Sequence, residues 1–152
     1  MRILYLSAIL IITVFLLSAC LPEQSTTLKP VTDEEKAQVL DEALDNPKGF
    51  QSQLKETCSK FRPLLLEVAE TINMGSRIWN AGGLPITIRL YEGVAYHVLY
   101  EIGDDCPNLS HAFQAGLMRA EQTENPNDKG RVLRDTLDLI MGGPPSRPPG
   151  SQ

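Results

Sequence analysis

Apolar positions along this chain fall into two regimes. Residues 3–17 (Ile3 to Leu17) form one nearly unbroken apolar run; beyond residue 32 the apolar residues recur every three or four positions. The second pattern is that of amphipathic helices. Thr32-Asp33-Glu34-Glu35 opens the first as a capping box, with Thr at the cap and Glu three residues on. Ala37, Leu40 and Leu44 then mark one face, and Asn46-Pro47 closes the helix, since the residue before proline disfavours helical backbone. From Phe50 a stripe runs through Leu54, Cys58, Phe61, Leu65, Val68, Ile72 and Trp79. Pro63 inside it predicts a kink or break near Lys60–Pro63, because proline lacks an N–H and clashes one turn back.

Residues 84–102 admit two readings. As a helix, Leu84, Ile88, Tyr91, Ala95, Val98 and Ile102 share a face. As strands, 86–91 and 94–102 flank Glu92-Gly93 as a hairpin. The stripe is unbroken across Gly93, which favours the helix. A further helix is expected to start near Asn108 or Ser110 and to turn Leu109, Phe113, Gly116 or Leu117, and Ala120 inward. Asn125 caps the last, whose Leu133, Leu137, Ile140 and Met141 are expected to face the core; Gly142 and the prolines after it stop the fold. The expected architecture is all-α: a compact bundle of five or six helices over 32–142.

The apolar run at the start belongs to a different function. Arg2 precedes it, Ser18-Ala19-Cys20 follows it, and it is shorter than the roughly 20 residues a membrane-spanning helix needs. That is the layout of a secretory signal. Leu17-Ser18-Ala19-Cys20 resembles the lipobox of bacterial lipoproteins. The resemblance implies cleavage before Cys20, diacylglycerol on its sulfur, and retention on a membrane, since several acyl chains hold where one does not. Leu21, rather than Asp, after the cysteine points to the outer membrane, facing the periplasm, in a Gram-negative host. On this reading residues 1–19 are the signal, 20–31 a lipidated flexible tether and 143–152 a disordered proline-rich tail.

Three cysteines are present. With Cys20 taken by lipid, Cys58 and Cys106 remain as an even pair in an oxidising compartment. One disulfide is expected, closing a loop of about 49 residues and stabilising the fold by roughly 4 kcal/mol; two buried free thiols are the alternative. Removing residues 1–19 takes away Arg2 alone among the charged residues, leaving 13 basic against 19 acidic in 133 residues. That length suits one domain. No basic patch is present, so nucleic-acid binding has no support.

Around 71–95 the chain resembles one tetratricopeptide-type helix pair. The carrying residues are Met74-Gly75, Ile78, Trp79-Asn80-Ala81-Gly82-Gly83-Leu84, Tyr91 and Val94; Thr71, Thr87 and Leu99 depart from the pattern. In that pattern Gly75 permits close helix approach, Gly82-Gly83 the reversal, and Tyr91 fills the space between the helices. The resemblance implies a concave helical surface for protein partners.

Catalytic signals are sparse. His97 and Glu101 share a helical face at i,i+4, with Asp104, Asp105 and His111 beyond; these are the only metal-ligand candidates, and a surface His–Glu pair beside a solvated acidic loop explains them equally. Ser110 and His111 are adjacent in sequence and so diverge on a helix. No nucleophile-elbow motif occurs, and no residue set calls for a cofactor. Trp79, Tyr91, Tyr96 and Tyr100 read as core-edge aromatics or as a contact patch for a partner. The expectation is a lipid-anchored envelope protein that serves as an interaction or assembly module with another envelope protein. A small-ligand or lipid carrier, and an envelope enzyme acting on cell-wall material, are the alternatives.

Overall fold

The structure, a computed structural model, describes residues 30–144. Cys20 with its lipobox, nearly all of the expected tether, and the proline-rich tail from 145 on lie outside the described residues. Among the described residues there are six helices and no strand: α1 (Asp33–Asp45), α2 (Pro47–Thr57), α3 (Phe61–Asn80), α4 (Leu84–Ile102), α5 (Pro107–Gln122) and α6 (Pro126–Met141). They pack as a bundle. None is long and apolar enough to cross a membrane.

Local chemistry sets the boundaries. At α1 the Thr32 N–H donates to Glu35 Oε2 at 2.7 Å, and the Glu35 N–H donates to Thr32 Oγ1 at 3.2 Å, as the capping box predicts. Asn46 serves two helices. Its N–H donates to Glu42 O at 3.2 Å, ending α1, and its Oδ1 accepts from Gly49 N at 3.1 Å, starting α2. The break expected near Pro63 lies at residues 58–60, so proline falls in the first turn of α3, where its missing N–H costs nothing. Residues 84–102 are one helix, with Pro85 in its first turn. Gly82 takes φ +84° in the reversal before it, and Gly142 takes φ +65° at the end of α6, both conformations that suit glycine.

Two expectations are corrected. Helix α5 starts at Pro107, not at Asn108 or Ser110. Cys106 holds the cap position without a side-chain hydrogen bond, and the fixed φ of proline suits the first helical position. Met141 does not face the core; it is 38% exposed, and Leu139 is buried instead. The reason is the placement of α6, which packs against each of the other five helices. Residues 136–140 are therefore buried in succession, where a surface helix would alternate.

Close helix approach depends on two glycines. A β-carbon on Gly116 of α5 would stand 2.2 Å from Thr136 Oγ1 of α6. One on Gly75 of α3 would stand 2.3 Å from a ring carbon of Tyr91 on α4. Around these contacts Leu40, Leu54, Val68, Val98, Ile102, Leu109, Phe113, Leu133, Leu137 and Ile140 form the buried core. The α1–α5 contact adds an ion pair, Arg119 to Asp41 at 2.8 Å, and the α4–α6 contact another, Lys129 to Glu92 at 2.7 Å.

Candidate interaction face

The two core cysteines stand at helix ends: Cys58 closes α2 and Cys106 opens α5. They are bridged, with Cα atoms 5.1 Å apart and a sequence separation of 48. Lys60 reinforces the junction by donating to the Glu101 carbonyl and pairing with Asp105 at 3.6 Å.

The histidines are not brought together with the acids that sequence spacing placed near them. His97 Nε2 meets Glu67 Oε2 of α3 at 3.3 Å. Ser110 Oγ accepts from Gln114 Nε2 at 3.0 Å, one turn along its own helix. Among the described residues, no group of three His, Cys, Asp or Glu side chains converges to hold a metal.

The four candidate aromatics separate. Tyr91 is a core residue: it is fully buried and its hydroxyl donates to Ile72 O at 3.4 Å. It is thus corrected as a contact residue, since a partner has no access to it. Trp79 is half-buried and covers Gly130, where a β-carbon would meet its ring at 2.5 Å. Tyr96 and Tyr100 are exposed, by 54% and 83%. The Tyr96 hydroxyl donates to Glu121 on α5 at 3.4 Å.

A polar network unread in the sequence sits where α3, α4 and α6 meet. Arg134 Nε donates to Asp138 Oδ2 at 2.8 Å, and Arg134 Nη1 to Ser76 Oγ at 2.8 Å. Ser76 in turn donates to Ile72 O at 2.8 Å. Burial pushes the Asp138 carboxyl above its ordinary range; Arg134 pulls it back, and the nearby charge of Asp135 adds to the rise. For Arg134, burial acts to lower the guanidinium, but Asp138 and Tyr91 outweigh it and the group is raised. The i,i+4 spacing of Arg134 and Asp138 is the signal the sequence offers for it.

The outer side of α4 is open. Thr87, Tyr91, Val94, Ala95, Val98 and Ile102 take the inner side. Opposite them Ile86, Arg89, Gly93, Tyr96 and Tyr100 are all exposed, Ile86 by 62%. Arg89 is the one charge among these five. A β-carbon built on Gly93 meets nothing within 4 Å. Leu66 and Met74 on α3 are also exposed. Comparison of the chain with protein-family models, with curated proteins and with solved structures finds no match.

Proposed function

We propose that the chain is a lipid-anchored protein of the bacterial cell envelope whose helical body is an interaction module. The observation that carries the interaction reading is the outer side of α4. Two tyrosines and an isoleucine there are exposed on one helix face with a single charge among them. Tyrosine supplies large, rigid contact area and is enriched where binding energy concentrates. The resemblance of 71–95 to a tetratricopeptide-type pair points to the same use.

The anchor rests on the sequence before and at Cys20. The Cys58–Cys106 bridge supports it in one respect: it engages the other two cysteines and suits an oxidising compartment. The two halves of the reading are tested separately. Acyl labelling and the N-terminal sequence of the mature chain test the anchor. Label on Cys20, and its loss with release from membranes in Cys20→Ser, is the expected result; a mature chain beginning elsewhere sinks the anchor. For the module, a photo-crosslinker at Tyr100 in intact envelopes is expected to give one defined adduct, while one at Gln53 on α2 gives none. Absence of any adduct at Tyr100 sinks that half.

A further inference from the structure

We propose that the outer face of α4 pairs with the same face of a second copy, the two helices running antiparallel and crossing at Gly93. This names the partner for the interaction reading and rests on that half alone, not on the anchor.

Helix α4 has three charged residues in 19, Arg89, Glu92 and Glu101. It is apolar on two opposite sides, the mark of a helix with neighbours all round. Among the described residues α3, α5 and α6 cover one side only. The other carries Ile86, Arg89, Gly93, Tyr96 and Tyr100, in steps of three, four, three and four. Those steps keep the five residues on one helix face.

The stripe is also nearly symmetric about its middle. Ile86 lies seven residues before Gly93 and Tyr100 seven after; Arg89 lies four before and Tyr96 three after. A two-fold axis through Gly93 therefore sets Ile86 of each copy against Tyr100 of the other. It sets each Arg89 against the other copy's Tyr96, a cation over an aromatic face. A contact that satisfies itself under a two-fold is what a symmetric dimer requires. The parallel alternative stacks Arg89 on Arg89 and loses both pairings. Gly93 stands at the crossing, and its missing side chain leaves room for the second helix. Among the described residues nothing lies within 4 Å of a β-carbon built there.

A face of five residues is smaller than the roughly 800 Å² per partner of a standard interface. The dimer is accordingly weak in solution and depends on concentration. Copies tethered to one bilayer would meet at a higher effective concentration.

Cysteine crosslinking on the full chain, made in two differently tagged forms and mildly oxidised, tests the register. Gly93→Cys is expected to give a disulfide dimer, and Gln53→Cys, exposed on α2, is not. Ile86→Cys in one form is expected to join Tyr100→Cys in the other. Tyr100→Cys is not expected to join itself, because fourteen residues of helix set the two sites about 21 Å apart and a disulfide does not span that distance. Adding Tyr100→Glu to Gly93→Cys is expected to cut dimer yield at least tenfold, with the helical circular dichroism unchanged. Equal yields at positions 53 and 93, no dimer at 93, or Tyr100→Cys joining itself would each overturn the proposal. A Gly93→Cys adduct to a different protein would overturn it too, while leaving the interaction reading standing.

Discussion

The ring of Tyr91 lies against the backbone of Gly75, so close that a β-carbon there would stand 2.6 Å from the phenolic oxygen. Tyr91 is fully buried and its hydroxyl is held by Ile72, so the ring has no free volume to retreat into. Gly75→Ala is expected to lower stability by about 1–3 kcal/mol, the usual cost of overpacking a core. Gly93→Ala, on the next helix and with open space before it, is expected to raise stability by up to about 1 kcal/mol, since alanine is the better helix former. Chemical denaturation of the two variants checks both signs. Equal effects would mean that Tyr91 yields.

The bridge between Cys58 and Cys106 closes a long loop between two helix ends. Chain entropy assigns it about 4 kcal/mol. Replacing both cysteines by serine is expected to lower the unfolding free energy by that order, and reductant is expected to do the same to the native chain. A denaturant midpoint unmoved by reductant would show that the bridge contributes nothing.

Asp138 gives a pH dependence with a definite sign. Its folded carboxyl holds a proton more tightly than an unfolded one, because burial disfavours the charge more than Arg134 restores it. Its contribution is therefore most favourable below the unfolded value of about 3.9. It declines as pH rises through that value and through the raised folded one. Asp138→Asn mimics the protonated form. Measured against it between pH 3 and pH 7, the native chain is expected to lose relative stability as pH rises. A relative gain would mean that the ion pair with Arg134, at 2.8 Å, outweighs burial.

Thr32 and Glu35 make reciprocal hydrogen bonds at the start of α1. Thr32→Ala is expected to cost about 1 kcal/mol and to act locally. Amide exchange is expected to quicken in the first turns of α1 and to stay unchanged in α6. Uniform acceleration across both helices would show that α1 does not open on its own.

The parts of the fold legible in the sequence are those set by local chemistry. Thr32, Asn46, Asn125 and Gly142 act within one turn of themselves, and each stands at a helix boundary as its chemistry dictates. Cys58 could be placed on the core side from its stripe, which brought it within reach of Cys106. The two departures have separate causes. A stripe marks one buried face, and α6 has neighbours on nearly every side, so its stripe points Met141 inward and passes over Leu139, the reverse of their burial. The start of α5 was misplaced because cysteine is no capping residue, although Pro107 offered its own signal.

The candidate site was less legible for a related reason. Tyr91, Tyr96 and Tyr100 all lie on α4, and the sequence separates its two apolar sides without saying which one the other helices cover. That depends on α3, α5 and α6 together. The exposure of Tyr100 and the vacancy before Gly93 emerge only once those three helices are in place.

Because α1 to α5 all rest on α6, loosening α6 takes contacts from every other helix at once. Melting should therefore be a single sharp transition seen alike by every probe. A cut in the 123–125 link, with the bridge intact, would leave two fragments that still travel together until heat or denaturant parts them.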